Sequence, residues 1–557
     1  MTISLLLAGL ASLLPLDDSE TSGRPLPPEQ ACFDVQYYDL SVKVDPEEQR
    51  IDGTLRMQAL LLSRTADLVL DLNQRLAVES VLVDGEAATF EHEGGEIRIH
   101  PTTALADVGF VFEVSVTYGG QPRVAPNPPW EGGLTWAQTE AGAPWIATSC
   151  QGQGADLWWP CKDQPSDEPK TMDIHITVPY PLVAASNGRL VGIDKSDAEW
   201  CTYNWHVSMP ISTYSVALNI APYQTIEREY TSIAGDTFPV IYYVLPDRLQ
   251  QGEKLMEDIL GQMAFMEKTF GPYPFRGDKY GVAETPHLGM EHQSIIAYGN
   301  NYRGNPWGSQ HGFDFLHLHE FAHEWWANLV TAKDWKDFWI HESFATYSEA
   351  LYVEEISGFE GYKLQMSEKR GGMLHAGPTA PRESRSTNQM YFSRETSTAP
   401  GMDIYNKGCW VLHTLRWQMG DEMFFKFLRR AAYPTVEMEA ITDGGQCRFS
   451  NTEEIIQIAE GVAGEELDWF FELYLRQPEL PTLHQEQRDG ALHLRWEVPE
   501  GLDFPLPVQV RLGDALVRVD MPGGKGQLKV PTGTAVEVDP HAWILRTRES
   551  KQGADDE

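Results

Sequence analysis

From Phe33 onward, apolar and polar residues alternate with the period of two that marks a half-buried strand. Leu40, Val42 and Val44 set the pattern; Phe112, Val114, Val116 and Tyr118 repeat it, as do Ile174, Ile176 and Val178. Turn-forming breaks fill the gaps: Asp52-Gly53, Asp84-Gly85, Gly94-Gly95, Gly119-Gly120 and Asn187-Gly188. This predicts one large antiparallel β domain over residues 31–223. Near Gln250 the period changes. Leu255, Ile259, Met263 and Met266 recur at helical steps until Gly271-Pro272-Tyr273-Pro274 stops them. A strand-like piece, Tyr280 to Glu284, follows, and helical spacing then continues to Arg476, so residues 224–477 read as a mainly helical domain. A stretch from Gly371 to Gly401, rich in Ser, Thr and Arg and without periodicity, reads as a solvated connection, with a substrate-shaping loop as the alternative. After Pro478 alternation returns at Leu492, Leu494 and Trp496, at Val508 and Val510, at Leu528 and Val530, and at Val536 and Val538. Residues 478–548 therefore read as a small β-sandwich domain, and the fold class as α+β multidomain.

Within the helical region, Phe315, Leu318, Ala322, Trp325 and Leu329 recur at three- and four-residue steps, which predicts a half-buried helix. It carries His319-Glu320-Phe321-Ala322-His323. At that spacing two imidazoles lie one turn apart on one face and can bind one metal ion, with Glu320 between them to act on water. Glu342 follows His323 with 18 residues between them, at the start of a second helical pattern, giving H-E-x-x-H-x18-E. Two histidines, one glutamate and one open position are the ligand set of a catalytic zinc site. One Zn2+ per chain, held by His319, His323 and Glu342, is the expectation.

The bulk numbers narrow the class. At 557 residues the chain is too long for one core. A hydrophobic fraction of 42%, with 17 Trp, is that of a globular protein. The formal charge of −38 repels phosphate backbones, so no nucleic-acid partner is expected. The apolar run Ile3 to Leu14 is too short to span a bilayer and resembles the core of a secretory signal, although no Lys or Arg precedes Arg24. Residues 1–30 are thus read as a signal segment and linker, the location as periplasmic or secreted (cytoplasmic if that segment is not a signal), and no integral membrane segment is expected. An acidic tail closes the chain at 549–557. Six scattered cysteines form no C-x-x-C pair; disulfides and buried thiols both fit.

Further motifs join the metal pattern in order: Trp159-Pro160-Cys161-Lys162-Asp163-Gln164-Pro165, then Gly289-Met290-Glu291, then Tyr405-Asn406-Lys407-Gly408. Together they resemble the zinc aminopeptidases of the aminopeptidase N and leukotriene-hydrolase family over roughly Phe33 to Arg476. The resemblance implies a thermolysin-like catalytic domain, hydrolysis of peptides with a free N-terminus, and Glu320 as general base. It also implies Tyr405 as hydrogen-bond donor to the developing oxyanion. Glu291 would bind the substrate's α-ammonium, with Gly289, Met290 and Gln151 lining the same subsite and Gln153 a second choice for the last. A monomer is expected. Two departures stand out: His292 replaces Asn after Glu291, and His341 and Ser343 replace Asn and Gly around Glu342. Each places an imidazole beside an essential carboxylate, so protonation is expected to weaken amine binding at low pH and to set a neutral or higher optimum. The large helical C-terminal domain of many relatives is missing from this chain, which implies a more open site. Three alternatives stand beside the aminopeptidase reading: a metalloendopeptidase, which would also cut N-acetylated peptides; a lipid epoxide hydrolase, which would need a narrow apolar tunnel; and a non-enzymatic binding protein.

Overall fold

Alternation along the N-terminal region does build strands, because each one buries every second side chain: Phe33–Asp45 and Arg50–Leu61 present Leu40, Val42, Ile51 and Leu55 to a shared core. In the computed structural model, which describes residues 21–391 and 399–547, these strands belong to an eight-stranded sheet. The apolar N-terminal run and the acidic tail lie outside the described residues. Neighbours in the sheet are antiparallel with one exception. Phe33–Asp45 runs parallel to Thr171–Pro179, with Tyr37 opposite Thr171. Four other strands of the sheet lie between the two in sequence, and a long crossover permits the parallel pairing that a hairpin forbids. A second, four-stranded sheet contains Gly133–Gln138 and Pro144–Ser149 and delivers the chain to Gln151.

The central region pairs a five-stranded sheet with helices. Gly289–Met290 forms one edge of that sheet, beside Ile296–Tyr298. The helix Leu249–Phe270 ends at Gly271, as its Gly-Pro stop requires. Helix Phe315–Ala322, capped by Asp314 accepting from His317 N, is buried at every position but His319. It was expected to be half-buried and to run on to Leu329. Its polar residues sit inside because they find partners there: His317 lies between Tyr280 and Gln262. The helix also ends sooner. The backbone leaves helical geometry at Trp326 (φ −112°, ψ 69°) and Ala327 (φ 158°, ψ −51°), so Trp325 and Leu329 reach the core from an irregular turn.

The helical stretch Trp339–Arg370 carries Glu342 and reverses direction at Gly358 (φ 69°, ψ −175°), where glycine tolerates a conformation that side chains disfavour. The reversal follows from two contacts. Lys369 Nζ lies 2.5 Å from Glu349 Oε2, 20 residues earlier, and Tyr362 Oη lies 2.8 Å from Tyr347 Oη. Twenty residues of straight helix would span roughly 30 Å.

In the stretch from Gly371 to Gly401, the described residues 371–391 are only partly solvated. It includes a short helix, Thr387–Tyr391, with Thr387 and Met390 buried. Its polar composition misled because Thr387 is buried with its hydroxyl satisfied by main-chain carbonyls. The C-terminal region forms two three-stranded sheets, and its Trp496, Leu506, Val508 and Ile544 share one core with the helices of the central region. All six cysteines are unpaired. Among the described residues, no helix is long and apolar enough to cross a membrane.

Candidate active site

His319 sits in the last turn of its helix and His323 just beyond it. Their Nε2 atoms are 3.3 Å apart, and each lies 3.5 Å from Glu342 Oε2. A regular tetrahedron with metal–ligand bonds of about 2.05 Å has edges of about 3.35 Å, so this triangle has the size of a tetrahedral zinc face. Each imidazole is set by its other nitrogen. His323 Nδ1 donates to Trp326 O at 2.8 Å, a contact made possible by the break in the helix, and His319 Nδ1 donates to Glu349 Oε1 at 2.9 Å. Both bonds leave Nε2 as the metal-facing lone pair. Lys369 holds the other Glu349 oxygen. Glu342 Oε2 is buried without a protein hydrogen bond, as a ligand atom would be. Burial opposes its ionisation, but positive charge beside it, as on protonated His323 and His319, holds the carboxyl well below the usual carboxylate range. The residues present therefore fit the expected ion.

Glu320 projects beside this triangle. Burial pushes its carboxyl up to about 8, against the pull of His319 and His323. Gly289 explains how the sheet edge comes so close: a Cβ there would lie 2.3 Å from Glu320 Oε1. Two residues on, Glu291 is buried, and burial raises its pKa. Its Oε1 accepts from Gln151 Nε2 and, at 3.2 Å, from Tyr214 Oη, while Asn328 Nδ2 holds its main-chain carbonyl at 3.0 Å. Gln153 instead accepts from Gly132 N at 2.5 Å. Met290 is buried in the N-terminal core, 4% exposed.

Tyr405 is placed by a close helix crossing. A Cβ at Gly408 would lie 1.7 Å from Ser343 Oγ, and Ser343 Oγ donates to Ile404 O at 2.5 Å. Only glycine lets the helix Asn406–Met419 approach Ser343, next to Glu342, and so brings the Tyr405 ring over His319, with centroids 6.1 Å apart. Lys407 turns away and donates to Gln477 O and Pro478 O, tying the start of that helix to the entry into the C-terminal sheets.

His292 and His341, the expected acid-side switches, both lie in surroundings that disfavour the imidazolium. Burial lowers both to about 3, so they stay neutral over the ordinary pH range; for His341, His323 adds to the effect. His341 Nε2 accepts from Ala332 N at 2.8 Å, which an imidazolium could not do.

Four residues of the site were not found from sequence. Glu349 stands seven positions after Glu342, the spacing of one helix face, and that signal was available. Lys369, Tyr214 and Tyr391 arrive through the Gly358 reversal and through long-range packing, and carry no such signal.

Comparison with known proteins agrees with this geometry. The Peptidase M1 N-terminal domain model matches residues 35–215, and the Peptidase family M1 domain model matches residues 256–437. Glutamyl aminopeptidase of Rattus norvegicus is 27% identical over 341 residues, which are 57% of this chain and 35% of that protein. Leucine aminopeptidase 2-1 of Meyerozyma guilliermondii is 22% identical over 473 residues, 81% of this chain and 70% of that one. The chain thus spans about a third of the first relative and most of the second. Among solved structures, an M1 zinc metallopeptidase from Deinococcus radiodurans shares the fold with a TM-score of 0.64 at 23% identity, covering 83% of this chain and 97% of that one. Legionella pneumophila aminopeptidase A gives a TM-score of 0.71 at 18% identity, covering 91% and 58%. With both family domains matched in order and the His-His-Glu cluster assembled, the chain belongs to peptidase family M1.

Proposed function

We propose that this protein is a zinc-dependent aminopeptidase that removes single residues from the free N-termini of peptides. One observation carries the reading: the side-chain ligand atoms of Glu291, Glu320 and His323 fall within 4.8 Å of one another. In a peptide the terminal nitrogen and the first carbonyl carbon are about 2.5 Å apart. An ammonium held by Glu291 therefore sets the first peptide bond, not the second or third, against Glu320 and the His-His-Glu triangle.

His319, His323 and Glu342 would hold the ion, which when bound acts as a Lewis acid on that carbonyl and lowers the pKa of water. Glu320 takes the proton of the attacking water and delivers it to the leaving amine; a carboxyl pushed up by burial is a competent acceptor and donor for both transfers. Tyr405 Oη donates to the oxygen that gains charge. Glu291 supplies the selectivity for free termini. A carboxylate buried this deeply gains most from a cation, and an internal peptide segment brings none. Gln151 and Tyr214 hold its Oε1 in place. We extend the proposal to a secreted or periplasmic location, supported by the apolar run Ile3 to Leu14; a mature protein whose N-terminus still begins at Met1 would overturn that part.

The test compares one peptide in two forms, free and N-acetylated, each with and without a zinc chelator. Cleavage of the free form alone, releasing one residue and stopped by chelator, is the expected result. Cleavage of both forms makes the protein an endopeptidase.

A further inference from the structure

We propose that Tyr391 is a positioning residue for this reaction: its hydroxyl hydrogen-bonds to the Tyr405 phenol and directs that residue's single O–H toward the developing oxyanion. The inference rests on the aminopeptidase reading above.

The geometry is specific. Tyr391 Oη hydrogen-bonds to Tyr405 Oη and lies 3.3 Å from Glu342 Oε1. The other oxygen of Glu342 faces the two imidazoles at 3.5 Å. A phenol has one proton to give and two acceptor sites. Tyr405 alone beside Glu342 would spend its proton on the carboxylate, the strongest acceptor in reach. With the Tyr391 proton shared between Tyr405 Oη and Glu342 Oε1, both acceptors are served and the Tyr405 proton is left for substrate. Accepting a hydrogen bond also polarises the Tyr405 O–H and strengthens its donation.

Tyr391 is held in this place from two sides. Its ring meets Phe338 edge-on, with centroids 5.1 Å apart, and Phe338 O accepts from Glu342 N. Its short helix is pinned by Thr387, whose Oγ1 donates to Gly152 O and whose N donates to Ser22 O at 3.3 Å. Gly152 follows Gln151, the residue on Glu291. One tie therefore fixes both a phenol at the oxyanion side and an amide at the amine side. Nothing in the stretch Gly371 to Gly401 marks this from sequence, because Tyr391 and Tyr405 come from different turns of the chain.

The test is a double-mutant cycle on the zinc-loaded full chain, with a free-N-terminus peptide as substrate. Tyr391→Phe is expected to lower kcat by about 10- to 100-fold, with KM, zinc content and Tm unchanged. Tyr405→Phe is expected to lower it further, and the double variant to match Tyr405→Phe alone. An unchanged kcat in Tyr391→Phe overturns the proposal, as do losses that simply multiply in the double variant. Should Tyr391→Phe lose zinc or Tm, Thr387→Val decides: it keeps Tyr391 but loosens its tie. A fall in its kcat at constant zinc content supports the proposal, and an unchanged kcat overturns it. A wild-type protein that leaves the peptide intact removes the parent reading and this one with it; a cleaving wild type with unaffected variants removes this one alone.

Discussion

The two sides of the site are built in different ways. The metal side is assembled from segments close in sequence: His319 and His323 on one turn, Glu342 and Glu349 on the next helix, each atom held by a partner behind it. The amine side is assembled from afar. Glu291 stands at a sheet edge, and the groups on it come from 77 and 140 residues away, Tyr214 and Gln151, both carried by the N-terminal β region. The metal side therefore depends on helix geometry inside one core, whereas the amine side depends on how two regions are packed together. On the proposed reading, chemistry and selectivity are thus separable.

That separation can be broken or sharpened by substitution. The largest effect is expected from Glu320→Gln, which removes the proton carrier but no ligand: turnover should fall by about 10²- to 10⁴-fold with zinc content by elemental analysis unchanged. Loss of zinc together with activity would merge the two roles. Next, Glu291→Gln leaves the metal side intact and removes the counter-charge. Its kcat/KM on a free peptide should fall by about 10²- to 10³-fold, the cost of breaking one buried ion pair. Any cleavage of the acetylated peptide should be unaffected, and equal losses on both would show that Glu291 serves the chemistry instead. Tyr214→Phe takes one donor from the same carboxylate and should raise KM about 10-fold with little change in kcat. The smallest effect concerns stability. Asp337, on the turn before the Glu342 helix, accepts from Thr452 N and Oγ1, and burial pushes its carboxyl up from 3.8 to about 6. Between those values the folded chain binds a proton that the unfolded chain has lost, so stability falls as pH rises through that window and the cost persists above it. Asp337→Asn should thus be more stable than wild type by about 1–3 kcal/mol at pH 7.5, with the gain shrinking toward pH 4. A Tm difference that does not depend on pH would refute this.

The contrast between the two sides also decides what could be read from the chain. Helix periodicity is local, so His319, Glu320, His323 and Glu342 were legible, and the strands of both β regions were legible from their alternation. Gly289 and Gly408 were legible only as letters in motifs. Their reason, the backbone passing where a Cβ would strike Glu320 or Ser343, is a property of packing. The same holds for His292 and His341. Neighbouring positions suggest a titrating pair, whereas the depth of burial disfavours charge on either. Tyr391 is hidden because its stretch is as polar as solvated chain, while its threonine is satisfied by main-chain carbonyls inside the protein.

The bend at Gly358 has a practical side. Its surroundings, Glu355 to Gly358, are exposed, while the two helical arms that meet there are packed through Tyr347, Tyr362 and Lys369. An exposed turn between two anchored arms is where a chain can be opened and rejoined at little cost. A reporter peptide or new chain termini could be engineered at this bend, giving a handle on the very helix that carries Glu342 without entering the site.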